Sequence, residues 1–286
     1  MSVVLVTGCS SGIGLATAVH FARHGHDVHA GVRNPSSATA MSAAIEAEKL
    51  SIRPVALDVD DPVSVTAAID EVLGRSGRVD VLVNNAGISG GGPIGDVPIE
   101  WAQRLFETNY FGVWRVTRAV LPGMGQRRHG AIVNVSSITG RVAFAGHGHY
   151  CAVKHALEAA SEALAQEVVG LGIRVAVVEP GLVQTSILEK AQRFENPTGP
   201  YFVHLRRLRL QYEMQRPYIR QPEDVARVIH EAATTDTPRL RYVVGGDARR
   251  LIAGRAQLTD EQYVAAGLAG SDEEYATLLR ERYGFE

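Results

Sequence analysis

Tyr150 and Lys154 stand four residues apart at the start of a strongly helical stretch, so their side chains share one helix face. That spacing can turn a phenol into an acid–base catalyst. A free tyrosine has a pKa of about 10, and bringing it toward 7 takes about 4 kcal/mol of selective phenolate stabilisation, which a neighbouring ammonium helps to supply. The chain has 29 basic residues, and only Lys49, Lys154 and Lys190 are lysines. A flexible ammonium that can reach ribose hydroxyls is a reason for Lys rather than Arg at 154.

A second constellation follows the first apolar run: Thr7-Gly8-Cys9-Ser10-Ser11-Gly12-Ile13-Gly14, leading into an amphipathic helix. Gly8 permits a tight turn, Gly12 lets backbone approach a pyrophosphate, and Gly14 lets helix pack on strand. Ser10, Ser11 and Ile13 share this loop and helix start, whose N–H groups favour an anion. A dinucleotide is the natural ligand, and a plain strand-to-helix turn is the bland alternative. Cys9 reads as a small loop residue, since nothing nearby would stabilise a thiolate.

The second strand should end beside an adenosine ribose, and there the chain reads Ala30-Gly31-Val32-Arg33. A carboxylate would accept from a 2′-hydroxyl, whereas an arginine pairs with a 2′-phosphate, so Arg33 favours NADP, with NAD second. An exposed strand-end charge is the alternative for Arg33. Asp58, closing the third strand, is placed to meet the adenine edge or to cap the helix beginning near Pro62.

These groups need a scaffold, and 286 residues with 45% apolar content can build one. The formal net charge of −2 gives no global field for nucleic acid. Cys9 and Cys151 can form neither a disulfide framework nor a zinc site, which predicts a reducing, intracellular setting and no metal. Met1-Ser2 leads directly into an apolar strand, and no run approaches the roughly 18 apolar residues of a spanning helix. The expectation is a cytoplasmic protein without a transmembrane segment.

Short β-branched runs occur at Val3–Thr7, Val28–Val32, Val55–Asp58, Val79–Asn84, Ile132–Ser136, Val175–Glu179 and Tyr242–Gly245. Between them the pattern predicts helices at Gly12–Arg23, Ala38–Leu50, Pro62–Leu73, Ile99–Leu121, Tyr150–Val169 and Pro222–Ala233. Alternation of this kind predicts an α/β fold: a doubly wound, parallel, seven-stranded sheet with helices on both faces. The expected organisation is one domain over 1–286, with an insertion at about 182–220 and a helical tail at about 247–286. Within the insertion Phe202, Leu205, Leu208 and Tyr212 fall on one helical stripe and Arg206, Arg207 and Arg209 off it. The pattern fits a lid helix with a solvated basic face, or a helix lying on a membrane surface.

Taken in order, these motifs resemble the short-chain dehydrogenase/reductase family across roughly residues 3 to 245. The matching signals are TGxxxGxG at Thr7 to Gly14, Asn84-Asn85-Ala86-Gly87, Asn109 with Gly112, Ser137, YxxxK at Tyr150 to Lys154, and Pro180-Gly181 with Thr185. The resemblance implies a Rossmann-type fold and hydride transfer between a nicotinamide and an alcohol or ketone. It makes Tyr150 the general acid–base and Ser137 the hydroxyl that holds the carbonyl oxygen. Lys154 would lower the phenol's pKa and bind the nicotinamide ribose, and Asn109 would relay protons through water to Lys154. Asn84, Asn85, Ala86 and Gly87 would support the sheet beneath the cofactor, and Pro180, Gly181, Val183 and Thr185 would meet the carboxamide end.

TGCSSGIG, the stretch Tyr150 to Glu158 and the segment Pro238 to Val244 are similar to the branch holding 17β-hydroxysteroid and retinol dehydrogenases. That implies an apolar alcohol, ketone or aldehyde substrate of steroid, retinoid or polyketide type. The family's habit also implies a homodimer or homotetramer formed through the helices at Ile99–Leu121 and Tyr150–Val169. Ser11 stands where many NADP-preferring relatives carry a basic residue, so the cofactor choice rests on Arg33. His147 and His149 either contact substrate or face solvent. Two other functions fit the scaffold: a non-catalytic NADP-binding sensor, and a nucleotide-sugar epimerase or dehydratase. A sensor has no need of an acid–base tyrosine, and the sugar enzymes usually carry a larger C-terminal domain.

Overall fold

The fold is a seven-stranded parallel sheet, seen in a computed structural model that describes residues 1–187 and 189–285. The strands are β1 (Val3–Thr7), β2 (Asp27–Val32), β3 (Ile52–Ala56), β4 (Val81–Asn84), β6 (Gly130–Val135), β7 (Ile173–Pro180) and β9 (Arg241–Val244), in spatial order β3-β2-β1-β4-β6-β7-β9. Every neighbouring pair is parallel. The order reverses between β1 and β4, which opens a crevice at the carboxyl ends of the strands. Two further strands, β5 (Gly90–Gly91) and β8 (Gln192–Arg193), form a separate parallel pair.

The helices are α1 (Gly12–Arg23), α2 (Thr39–Glu48), α3 (Pro62–Ser76), α4 (Ile99–Phe106), α5 (Gly112–Arg127), α6 (Gly148–Val168), α7 (Phe202–Gln215), α8 (Pro222–Thr234), α9 (Gly246–Arg255), α10 (Asp260–Val264) and α11 (Asp272–Tyr283). The central strands are apolar at successive positions because both faces are covered. Along β1, Val4 and Val6 join one core with Phe21 of α1, Met41 of α2 and Ile229 of α8. Val3 and Leu5 join the opposite core with Ile69 of α3, Met124 of α5 and Leu164 of α6. A third core, with Leu205, Leu208, Leu251, Leu279 and Tyr283, packs the insertion against the C-terminal helices.

Three departures from the sequence pattern have physical reasons. The third strand lies at Ile52–Ala56, upstream of the expected Val55–Asp58, because β3 is an edge strand and tolerates Pro54. The long helix expected over Ile99–Leu121 is interrupted by a π-helical turn at Glu107–Phe111, a feature hydrophobic periodicity does not reveal. The arginines of the insertion are not a free basic face. Arg207 is 5% exposed and donates to the carbonyls of Gly267 and Ala269, Arg206 pairs with Asp272, and Arg209 pairs with Glu195. The contacts of Arg206 and Arg207 hold α7 to the tail, and with that of Arg209 they oppose a membrane-surface reading. Among the described residues no helix is long and apolar enough to cross a membrane.

Candidate active site

The turn after β1 is built from backbone that side chains would obstruct. Gly8 and Gly12 take φ of +73° and +59°, the left-handed region that favours glycine. A Cβ on Gly8 would lie 2.7 Å from Ala86 Cα, and one on Gly14 would lie 2.3 Å from the Gly8 carbonyl oxygen. The turn is fastened to the end of β4: Asn85 Nδ2 donates to the carbonyls of Thr7 (2.9 Å) and Gly8 (3.2 Å), and Thr7 Oγ1 accepts from the N–H groups of Asn85 and Ala86. At the start of α1 the Ser11 side chain does not cap the helix and no acidic residue stands in the first turn. Ser11 Oγ instead meets Ser186 Oγ at 3.0 Å. The first N–H groups of α1 therefore keep donors for an anion, and the glycine cradle fits a dinucleotide's pyrophosphate. Cys9 is buried, and burial pushes its thiol pKa up, as expected of a packing residue.

Arg33 lies one residue past β2, exposed, and among the described residues has no ion-pair partner. Asp58 lies two residues past β3 and forms a local turn, its Oδ1 accepting from Asp60 N at 3.1 Å. The cap of α3 is Asp61, which accepts from Val63 N at 2.9 Å, so the capping alternative for Asp58 is not what the fold uses.

Under the crevice, Asn84 Nδ2 donates to Thr117 Oγ1 (3.0 Å) and Asn134 Oδ1 (2.9 Å), and Asn134 donates to Ser161 (2.8 Å). This buried chain ties β4 and β6 to α5 and α6. Asn109, in the π-helical turn, clamps Ile88 from both sides, accepting from its N–H and donating to its carbonyl, both at 2.8 Å. Its side chain is thus engaged in holding the loop after β4, where a Cβ on Gly87 would sit 3.0 Å from Asn109 Oδ1. Asn109 Oδ1 and Nδ2 each make one bond there, which leaves one lone pair and one N–H of the amide for a further partner.

Ser137 follows β6 and accepts from Thr139 N at 3.2 Å. Tyr150 and Lys154 project from the first two turns of α6 into the same cavity as Ser137. Lys154 Nζ donates to the Val135 carbonyl at 3.0 Å and lies 5.8 Å from the centre of the Tyr150 ring. Burial lowers the Lys154 pKa to about 8, opposed by the charge of Glu158 one turn along. Burial pushes the Tyr150 phenol up, so it stands protonated as an acid at neutral pH. Behind Lys154 lies an ionic group: Arg241 reaches Glu158 (3.1 Å) and Glu179 (3.4 Å), and Arg141 reaches Glu179 (3.0 Å).

The cavity is closed on one side by Pro180 at the end of β7 and by Gly181, Val183 and Thr185 after it. That segment is held by a residue sequence reasoning missed. Asp247, fully buried at the start of α9, accepts from Leu182 N at 2.6 Å, and a Cβ on Gly181 would lie 2.3 Å from its carboxylate. The signal was Gly245-Gly246-Asp247 directly after the last strand. On the other side stand His147, Tyr212 and Gln215. His147 stacks on Tyr150 with ring centres 4.7 Å apart and planes 8° from parallel, and its Nδ1 pairs with Tyr212 hydroxyl at 2.9 Å. Burial lowers the His147 pKa to about 4, so the imidazole is neutral. His149 is half-buried and does not line the cavity.

Ser137, Tyr150, Lys154, Ile13, Asn85, Gly87, Pro180, Gly181, Val183 and Thr185 therefore converge on one cavity, whereas Gly8, Ser10, Ser11, Gly12, Gly14, Arg33, Asp58, Ala86 and Asn109 lie outside its lining. Such an arrangement, with a protonated phenol beside an ammonium and a hydroxyl, can exchange a proton with a carbonyl or carbinol oxygen.

The chain belongs to the short-chain dehydrogenase family: the family described as short chain dehydrogenase matches residues 2–196. It is 38% identical over 266 residues to retinol dehydrogenase 8 of Bos taurus, covering 88% of this chain and 84% of that one. It is 37% identical over 187 residues to the 3-ketodihydrosphingosine reductase of Bacteroides thetaiotaomicron, covering 65% and 66%. Among solved structures, a short-chain dehydrogenase from Streptomyces avermitilis superposes with a TM-score of 0.82 at 37% identity, covering 93% of this chain and 98% of that one. The family's members are oxidoreductases that use nicotinamide cofactors on small molecules.

Proposed function

We propose that this chain is an NADP(H)-dependent oxidoreductase that interconverts an apolar alcohol with its ketone or aldehyde. The observation that carries this reading is the convergence of Ser137, Tyr150 and Lys154 on one cavity beside the glycine turn. The bound nicotinamide supplies or accepts the hydride at the substrate carbon. Gly8, Ser10, Ser11, Gly12, Ile13 and Gly14 hold its pyrophosphate, Arg33 pairs with the 2′-phosphate, and Asp58 meets the adenine edge. Asn85, Ala86 and Gly87 shape the floor, and Pro180, Gly181, Val183 and Thr185 receive the carboxamide end.

In the reducing direction Ser137 holds the carbonyl oxygen, and Tyr150 gives that oxygen its phenolic proton as hydride reaches the carbon. Lys154 stabilises the phenolate left behind. In the oxidising direction the same phenolate takes the proton back. Asn109 relays protons through water to Lys154 and holds the loop after β4 through its two bonds to Ile88. Segment 182–220 serves as the lid and residues 247–286 as its support within one domain. The apolar names among the relatives, retinol and ketodihydrosphingosine, agree with a cavity lined by Phe144, Ile138 and Leu182. We place the enzyme in the cytoplasm as a homodimer or homotetramer formed through α4, α5 and α6.

Tyr150→Phe tests the assignment. Turnover of a panel of steroid, retinoid and aromatic ketones and aldehydes with NADPH should fall by about 10³-fold, while NADPH binding followed by its fluorescence persists. Unchanged turnover would overturn the catalytic role, and binding without turnover in the wild type across the panel would favour a sensor.

A further inference from the structure

The side of the cavity facing the segment after β7 carries polar groups from His147, Tyr212 and Gln215 that the chemistry above does not use. Tyr212 and Gln215, three residues apart on α7, both face the cavity. The Tyr212 hydroxyl is committed to His147. The Gln215 side chain is 2% exposed, and its amide nitrogen has no hydrogen-bond partner among the described residues. A buried amide without partners is costly, and an apolar residue of the same size would fill that position more cheaply if filling were its only task. On the same helix Leu205, Leu208 and Met214 fill with hydrocarbon and thioether, and Gln211 also buries an unpartnered amide nitrogen, but of the two glutamines only Gln215 lines the cavity.

We infer that Gln215 is a specificity-determining residue that donates to a second oxygen of the substrate, so that the enzyme's ketones carry another carbonyl away from the reacting carbon. This rests on the oxidoreductase reading above and sharpens its substrate class. The reacting oxygen is already served by Ser137 and Tyr150, so an amide on the lid helix has work only with another acceptor. A site that hydrogen-bonds a polar substrate group discriminates strongly against the analogue lacking it, because the protein's own group is then left unpaired. Gln215 lies at the end of α7, just before Arg220 returns to pair with Val183.

The test compares 2-undecanone with the methyl esters of 3-oxo-, 4-oxo- and 5-oxodecanoic acid, which carry a second carbonyl at stepped distances. Wild-type enzyme, Gln215→Met and Gln215→Glu are checked for equal melting temperature and equal NADPH binding. With wild type, at least one keto ester should exceed the plain ketone in kcat/KM by roughly tenfold. Gln215→Met should bring that ratio close to 1, and Gln215→Glu should push it lower still at a pH high enough to ionise the buried carboxyl, since a carboxylate repels the ester oxygen. Binding of the same ketones to the NADPH complex, read by quenching of cofactor fluorescence, should show the same ratios without chemistry. If binding discriminates through Gln215 but nothing turns over, the inference stands and the reductase reading falls. If no keto ester is preferred, or the preference survives in Gln215→Met, or no probe binds, the inference is overturned.

Discussion

The two sides of the cavity are made of different material. On the cofactor side, β1, the glycine turn and the end of β4 present backbone: positive φ at Gly8 and Gly12, a Gly14 with no room for a Cβ, and the helix N-terminus of α1. On the substrate side, α7 and the residues before Tyr150 present side chains, and those side chains depend on each other, as in the pairing of Tyr212 with His147 and the stacking of His147 on Tyr150. Backbone can recognise a ligand common to a whole family, because its donors do not change when neighbouring side chains do. Side chains recognise what is particular to one member, and they can be replaced without dismantling the fold. The cofactor side should therefore fail abruptly when altered, and the substrate side should retune.

The largest effect is expected where a single methyl enters the backbone-built side. Gly14→Ala would place its Cβ 2.3 Å from the Gly8 carbonyl oxygen and 2.4 Å from Asn85 Nδ2. The turn must shift, and the amide that fastens it to β4 is displaced with it. Dinucleotide affinity should fall by at least about 100-fold, with the protein destabilised by about 1–3 kcal/mol. Cofactor fluorescence titration and thermal melting read the two parts. Retained affinity would mean that the cradle is more plastic than the comparison allows.

Next comes Arg33, on which the proposed choice of NADP rests. Arg33→Glu replaces a cation for the 2′-phosphate by a carboxylate that repels it and accepts from a 2′-hydroxyl. The ratio of kcat/KM for NADPH over NADH should fall by about 10- to 100-fold, measured on one aldehyde. A ratio unmoved by the substitution would remove Arg33 from the ribose and leave it a solvated strand-end charge.

The same division explains what the sequence could disclose. The seven strands, the glycine turn and the Tyr150–Lys154 pair are local patterns: a β-branched run, three glycines at fixed offsets, two residues one helical turn apart. Each is visible without knowing what lies across the fold. Asp247 is not, because its work is to accept from Leu182, 65 residues away in sequence. Nor is the commitment of Arg207 to the carbonyls of Gly267 and Ala269, which makes an arginine on a helix look solvent-facing until the tail is docked. The π-helical turn escaped for another reason. It spans only five residues, too few for a periodicity window to register, so Asn109 could be located by motif while its engagement with Ile88 could not.

The smallest expected effect lies on the side-chain-built side. Tyr212→Phe keeps the ring of Tyr212 and removes only the hydroxyl that meets His147 Nδ1 at 2.9 Å. His147 stays neutral, because its pKa of about 4 is set by burial rather than by that bond. It then loses the contact that fixes its tautomer and ties α7 to the stacked Tyr150 ring. One neutral hydrogen bond is worth about 0.5–1.5 kcal/mol, so kcat/KM should fall by about 3- to 10-fold while NADPH affinity is unchanged. If the contact orients the phenol, the loss appears in kcat; if it only holds the lid, the loss appears in KM. A variant that lost NADPH binding as well would show that the lid reaches the cofactor, and the separation of the two sides would break there.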